Sequence, residues 1–257
     1  MLDALYTAAS GMLAQQIGLD VIANNLANVN AVGYKGQRAA FEDLLYNNIS
    51  SNQGATQGQQ MGLGVAISGI QAQFDEGSAQ VTGVATDFMI TQGTGFFAVQ
   101  KPDGTTAYTR AGNFGYDGAG QLVTQQGDLV LDHQGRPIKF PKTMKDLDID
   151  KLGNLFAITP TGRTKIAQLG MVQFANPAGL TLNGQNQYLE SADSGTPAQV
   201  VSGGSGGTII QRTLEMANVK AVDEMVNMIT TQRAYESVSK VVQASDQMLS
   251  TANGLRR

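Results

Sequence analysis

The 257-residue chain contains no cysteine and no tryptophan, a single histidine and only six prolines. Without cysteine there is no disulfide framework, no thiol nucleophile and no thiolate metal site, although such a chain is compatible with any redox compartment. One histidine cannot supply the several imidazoles that zinc sites draw on. Long hydrophobic runs are missing as well: no stretch approaches the ~18 apolar residues needed to span a bilayer. The opening residues, Met1-Leu2-Asp3-Ala4-Leu5-Tyr6, lack the basic and apolar blocks of a secretory signal. The expectation is therefore a chain that is cytoplasmic or exported without a cleaved signal. Basic residues are scattered, 17 of them against 21 acidic residues for a net charge of −4. That pattern predicts no nucleic-acid partner and no polybasic membrane patch.

Glycine is abundant instead, at 31 of 257 residues, well above an average usage of roughly 7%. Hydrophobic residues reach 42%, enough for a packed core, while aromatics make up only 6%. The mixture suits a domain of short strands joined by many turns.

The two ends of the chain resemble each other and differ from the middle. Leu2, Leu5, Ala9, Met12, Gln16, Leu19, Ala23 and Leu26 follow at alternating steps of three and four, the seam spacing of a coiled coil. This predicts a helix that stops around Asn28–Gly33, where asparagine and glycine cluster. Ala221, Met225, Met228, Gln232, Tyr235, Val238, Val242, Ser245 and Leu249 repeat the spacing and predict a helix from about Leu214 to Leu249. Between the ends the period is two. Phe96–Val99, Thr106–Arg110, Gln121–Thr124, Asp128–Leu131 and Leu155–Thr159 read as strands. Turn signals separate them at Asp103-Gly104, Asp117-Gly118, Gln126-Gly127, Gln134-Gly135 and Thr161-Gly162.

The expected fold class is α+β, with long terminal helices forming a coiled-coil-like core domain around a central all-β domain of short strands. In chain order, residues 1–45 carry the N-terminal helix, 46–61 an extended polar arm, and 62–202 the β domain. Residues 203–213 form a glycine-rich linker, and 214–257 carry the C-terminal helix.

Catalytic chemistry finds no foothold. His133 lies in a turn beside Asp132, and no Gly-x-Ser-x-Gly sequence presents a serine to it. Asp146, Asp148 and Asp150 alternate along one strand face but fail as a calcium loop. Starting at Asp146 puts Lys151 at the turn-glycine position; starting at Asp148 leaves Thr159 where a bidentate glutamate belongs. Gly62-x-Gly64 and Gly93-x-Gly95 do not extend to a nucleotide fingerprint, and no phosphate-binding Gly-x-x-x-x-Gly-Lys loop occurs. The reading is not an enzyme, with no catalytic, cofactor or metal residues. An enzyme on a β scaffold using His133 or Asp146–Asp150 is the weaker alternative.

Two narrow apolar seams at opposite ends of one chain point to self-association, because a lone helix pair leaves much of them wet. An interface of that kind that does not close generates a filament. The expected self-assembly residues are Leu2, Leu5, Ala9, Met12, Leu19, Ala23 and Leu26, with Met225, Met228, Tyr235, Val238, Val242 and Leu249. A soluble coiled-coil adaptor for a different partner is the competing reading.

The same residues carry a family likeness. Leu5-Tyr6-Thr7-Ala8-Ala9-Ser10-Gly11-Met12, Asp20 to Asn30 (DVIANNLANVN) and Gly33-Tyr34-Lys35 resemble the N-terminal signature of the bacterial flagellar basal-body rod and hook family. Glu224 to Glu236 (EMVNMITTQRAYE) resembles its C-terminal signature. Gly93-Thr94-Gly95-Phe96-Phe97, Tyr108-Thr109-Arg110, Gln121-Leu122-Val123-Thr124 and Asn176-Pro177-Ala178-Gly179-Leu180 are similar to its central domain. Gly62-Leu63-Gly64-Val65 and the overall length lie nearest the distal-rod type, with proximal rod and hook-type axial subunits as alternatives.

The resemblance implies a structural subunit of the distal rod that self-assembles into a hollow helical tube and transmits motor torque to the hook. Its partners would be further copies of itself, neighbouring rod and hook proteins and the flagellar type III export apparatus. In a host with two membranes the peptidoglycan and outer-membrane rings join them. The location implied is the basal body, in a rod crossing the periplasm, and no cofactor is implied.

Overall fold

The computed structural model describes residues 2–44, 46–49, 59–141, 144, 146–160 and 162–254. The architecture is α+β, with a helix near each end and a β-rich middle. The chain divides into two compact units. The first comprises Met1–Ala27, Gln37–Ala72 and Lys220–Arg257; the second comprises Asn28–Gly36 and Gln73–Val219.

In the first unit, α1 spans Leu2–Ala27 and α2 spans Ala221–Gly254. α1 stops at the predicted asparagine-glycine cluster. α2 starts later than its seam spacing suggests, because Thr213–Glu215 is a buried strand paired with Ala79–Val81 and not a helical turn. Its first turn then carries Asp223 and Glu224, which complement the positive end of the helix dipole.

Four strands complete this unit: β1 (Gln37–Asp43), β2 (Tyr46–Ile49), β3 (Gln59–Gly62) and β4 (Val65–Ala72). β1 pairs antiparallel with β4 and β2 with β3, so the chain runs out and returns as one two-stranded ribbon. Within the expected polar arm, residues 46–49 and 59–62 lie opposite each other as paired strands; residues 50–58 lie outside the described residues. Asn25 anchors the start of the ribbon as a backbone would. Its Oδ1 accepts from the Gln37 N–H at 2.8 Å and its Nδ2 donates to the Gln37 carbonyl at 2.9 Å.

The second unit is built around β7 (Phe96–Gln100), following β5 (Ala79–Val81) and β6 (Phe88–Thr91). In the nine-stranded antiparallel sheet β7 pairs with β8 (Thr106–Thr109), Leu129–Val130 and Met171–Gln173. Alternate side chains of a strand point to opposite faces. Phe97 and Val99 enter one core with Phe88, Leu122, Val130 and Leu155. Phe96 and Ala98 enter another with Tyr108, Phe174 and Tyr188. Burial on both faces explains why this segment reads as a continuous apolar run. Asp146–Ile149, Asn154–Thr159 and Gly162–Gln168 form a separate three-stranded sheet.

The glycine-rich segment expected as a flexible linker is an ordered turn. Gly203 N–H donates to the Gly207 carbonyl at 2.9 Å, and Gly207 N–H donates to Gly204 at 3.1 Å. Ser202 Oγ binds the Lys151 carbonyl at 2.9 Å and accepts from the Ile209 N–H at 3.0 Å. The glycines here serve close approach and not slack. A Cβ on Gly93 would lie 2.3 Å from the Gly206 backbone carbon.

Gly93→Ala should therefore destabilise the fold by about 3 kcal/mol or more, since backbone and not a movable side chain blocks the methyl. Gly118→Ala, with nothing within 4 Å of the new carbon, should stay within about 0.5 kcal/mol of the parent. Urea unfolding of the two variants checks this; equal midpoints would mean that the turn is slack after all.

Candidate functional site

α1 and α2 pack antiparallel. Near the end of α1, Asn25 Nδ2 donates to Glu224 Oε1 in the first turn of α2 at 3.3 Å. About two turns back, the Gly18 position faces Thr231 Cγ2 at 3.7 Å and Phe41 at 3.8 Å. The buried residues of α1 include Ala8, Ala14, Val21 and Asn25, with half-buried Gly11 and Gly18 between them. This small-residue stripe lies one helical position round from the apolar seam.

The seam residues divide accordingly. On α1, Leu5, Met12, Leu19 and Leu26 are half-buried while Ala9 and Ala23 are exposed. On α2, Met228, Val238 and Val242 are half-buried, whereas Met225 and Tyr235 are exposed. The side chains of Leu2 and Leu249 lie outside the described residues. A second apolar stripe escaped the sequence reading. Val222, Val226 and Ile229 follow at steps of four and three and are 72%, 54% and 52% exposed. Leu13 and Tyr6 of α1 are also exposed. The sequence signal was present, as β-branched residues on a second face of α2, but one seam had already accounted for the helix.

The second unit contains a buried ion cluster. Glu215 Oε1 accepts from Lys35 Nζ at 2.6 Å and from the Gly77 N–H at 2.9 Å, and its Oε2 accepts from Arg110 Nη1 at 3.3 Å. Lys35 Nζ also donates to the Asp75 carbonyl at 2.6 Å, and Arg110 Nη2 to the Gly93 carbonyl at 2.5 Å. All three charged side chains are fully buried. Burial pulls the Lys35 pKa below its usual 10.5, against the attraction of Glu215. The Arg110 guanidinium also lies over the Phe96 ring at 5.4 Å.

Glycine at position 33 makes the approach possible. Its φ of +66° is left-handed, and a Cβ there would lie 2.3 Å from the Ala111 nitrogen. The Gly33 N–H then donates to the Glu215 carbonyl at 2.7 Å, so residues following α1 and residues preceding α2 are hydrogen-bonded neighbours. Sequence reasoning grouped Gly33–Lys35, Gly93–Phe97 and Tyr108–Arg110 as family-like motifs but missed Glu215, which the overextended helix had absorbed.

The candidates for chemistry are structural. His133 lies in the Asp132–Gly135 turn, with its backbone N–H bound to the Gln168 carbonyl at 2.9 Å. Asp146 pairs with Arg212 at 3.1 Å and Asp148 with Arg163 at 2.7 Å. Asp150 Oδ1 accepts backbone N–H groups of Leu152 and Asn154, closing a turn. Among the described residues no cluster of three or more potential ligands could hold a metal ion.

Three family profiles match in chain order. One described as "Flagella basal body rod protein" matches residues 5–35, and "Flagellar hook protein FlgE/F/G D1 domain" matches 90–157. "Flagellar basal body rod FlgEFG protein C-terminal" matches 210–255. The chain is 42% identical over 265 residues to the flagellar basal-body rod protein FlgG of Borreliella burgdorferi, covering 100% of both. It is 41% identical over 267 residues to the FlgG of Caulobacter vibrioides, covering 99% of this chain and 100% of that one. With the FlgG of Bacillus subtilis it shares 40% over 266 residues, with full coverage of both. The chain belongs to the flagellar basal-body rod protein family. It is a structural rod subunit of the basal body and not an enzyme. Each of the three family segments contributes one charge to the buried cluster: Lys35 from the first, Arg110 from the second, Glu215 from the third.

With two buried cations and one carboxylate, removing the carboxylate should cost this rod protein most. Glu215→Gln should lose about 3–5 kcal/mol. Lys35→Met should lose less, because Arg110 and Glu215 remain as a matched pair. Equal losses in urea would contradict this charge balance. A lowered Lys35 pKa also means that the unfolded chain binds the extra proton. Wild-type stability should therefore rise, relative to Lys35→Met, as pH climbs towards the ordinary lysine value of 10.5. Parallel stability curves for the two proteins would show that Lys35 is not depressed.

Proposed function

We propose that this rod subunit is of the distal type and polymerises into a hollow helical tube that carries motor torque to the hook. Full-length similarity to relatives named FlgG supports the distal assignment. The polymer reading rests on one observation above the others: the helix pair leaves Val222, Val226 and Ile229 in water. Burying such a side chain contributes roughly 1.5–3 kcal/mol, and in a polymer that gain recurs in every subunit.

In this reading the terminal helices form a coiled-coil-like core of the tube. Leu5, Met12, Leu19, Leu26, Met228, Val238 and Val242 serve the seam within the pair. Ala9, Ala23, Met225 and Tyr235 face neighbouring subunits, with Leu2 and Leu249 continuing the two seams towards the helix ends. The subunit reaches its place through the flagellar type III export apparatus. It joins other rod and hook proteins in a shaft crossing the periplasm, inside the peptidoglycan and outer-membrane rings where the host has two membranes. A shaft works by transmitting load through packed surfaces and needs no reacting group.

Val226→Asp and Ile229→Asp separate assembly from folding. Both positions are more than half exposed, so monomer stability should change by no more than about 0.5 kcal/mol. Tubes seen by electron microscopy of the purified wild-type protein should be missing, and cells carrying either variant should not swim. Normal rods from both variants would remove the α2 stripe from the interface. A discrete complex with a different protein and no tubes from the wild type would favour an adaptor.

A further inference from the structure

Four places in the chain set an aspartate or asparagine directly before glycine: Asp103-Gly104, Asp117-Gly118, Asn183-Gly184 and Asn253-Gly254. At such a pair the glycine nitrogen can close on the preceding side-chain carbonyl carbon, because glycine has no Cβ to stand in the way. The structure separates the four. Asp103 Oδ1 accepts from the Thr105 N–H at 2.8 Å and from Thr105 Oγ1 at 2.6 Å. Asp117 Oδ1 accepts from the Ala119 and Gln121 N–H groups at 2.9 and 2.6 Å. Both carboxylates are held in turns, and an ionised carboxylate resists nucleophiles. Asn253-Gly254 closes α2, where the Gly254 N–H is bound within the helix to the carbonyl one turn back.

Asn183-Gly184 is held in neither way. It lies in the exposed loop that joins Thr181–Leu182 to Gln187–Leu189. Hydrogen bonds close this loop through other atoms. The Asn183 N–H donates to the Gln187 carbonyl at 3.0 Å, and the Gln187 N–H donates to the Gly184 carbonyl at 3.0 Å. Among the described residues nothing binds the Asn183 side chain or the Gly184 N–H. The far side of the loop is fixed instead. Gln185 and Asn186 have φ values of 55° and 57°, a left-handed conformation that non-glycine residues keep only where the surroundings impose it. Asn186 Nδ2 donates to the Val32 carbonyl at 2.8 Å, and the Asn186 carbonyl accepts from Thr109 Oγ1 at 2.8 Å.

We propose that Asn183 is a modification site, deamidating spontaneously through a cyclic imide with water as the only reagent. The Gly184 nitrogen gives its proton to the solvent and bonds to Asn183 Cγ. The Cγ–Nδ2 bond breaks, and the amide leaves as ammonia after taking a proton back. Water then adds to one imide carbonyl, and the bond from that carbon to the Gly184 nitrogen breaks. Opening at Cγ leaves isomeric order unchanged and gives the peptide its ordinary chain only if the backbone carbonyl keeps the nitrogen, which is aspartate. Opening at the backbone carbonyl gives isoaspartate, whose main chain runs through Cγ and is one atom longer. The sum is one water consumed and one ammonia released, with nothing oxidised or reduced. Either product adds a negative charge to a chain whose net charge is already −4. In isoaspartate the extra atom falls just beyond the Leu182–Tyr188 pair. Thr181–Leu182 should then loosen, while Asn186 keeps both of its bonds. The site does not depend on the polymer reading, and its products accumulate with the age of each copy.

Incubating the purified full-length chain in mildly alkaline buffer tests this, with peptide mapping by mass spectrometry and an isoaspartate-specific methyltransferase assay over time. The expected result is exchange of NH2 for OH at Asn183 ahead of every other asparagine, with isoaspartate in the same peptide. Asn183→Gln should lose both signals, because the larger ring that glutamine must close forms far more slowly. A parent-like melting temperature would show that this variant keeps the fold. Asn183 that stays intact in the folded chain, but converts once the chain is unfolded in urea, would overturn the proposal. So would conversion of Asn253 ahead of Asn183, or an isoaspartate signal that Asn183→Gln leaves unchanged.

Discussion

The second unit depends on one carboxylate. Glu215 is fully buried, and its two oxygens gather the Lys35 ammonium, the Arg110 guanidinium and the Gly77 N–H. These partners lie in segments that are 180, 105 and 138 residues away along the chain. No run of local hydrogen bonds could bring them together. The cost of desolvating three charges is recovered only while the carboxylate is in place, because removing it strands both cations in a low-dielectric interior. The cluster thus specifies a pairing of distant segments more sharply than an apolar contact could, since apolar side chains tolerate exchange and slippage.

That constraint explains features that would otherwise look unrelated. Gly33 is left-handed and flush against Ala111, which lets Tyr34 and Lys35 turn inward. Gly93 lies flush against Gly206 and presents its carbonyl to Arg110. Val32 bridges Met216, so the strand preceding α2 is matched to the segment following α1. Tying those segments side by side means that neither can fold to its final place without the other.

Most of the fold was legible in the residues, for reasons that can be named. The strands Phe96–Gln100, Thr106–Thr109 and Asn154–Thr159 were found because apolar runs end at turn residues whose chemistry is local. Asp103, for example, accepts from the Thr105 N–H two residues on. The helices were found because their apolar period is 3.6. What failed was whatever depended on long-range partners. The glycine run at 203–207 has a linker's composition, and nothing in that composition marks the Gly203–Gly207 hydrogen bond or the close approach of Gly93 to Gly206. Residues 46–49 and 59–62 carry too little pattern to reveal that they pair with each other. Glu215 sat beside a helical pattern, and a carboxylate there reads as a solvated helix start until its two cations are located.

The helix pair failed in a subtler way. A 3-4 spacing identifies an apolar stripe, but α1 has two candidate stripes one residue apart, and sequence favours the one with larger side chains. The structure buries the smaller residues Ala14 and Val21, and the Gly18 position between them faces Thr231 of α2 and Phe41 of β1. Small residues between helices allow closer backbone approach, and they leave the bulkier seam only half covered. That choice has a consequence for assembly. A pair closed through its largest residues would have little left to offer a neighbour, whereas a pair closed through its smallest retains apolar surface on both flanks. Each helix can then take part in more than one contact, which a tube requires and an isolated hairpin does not. The same economy appears on α2, where Glu224, Met228 and Thr231 lie on the less exposed face while Val222, Val226 and Ile229 stay in water. The exposed stripe is thus the complement of the intramolecular one, and a lone subunit cannot bury both.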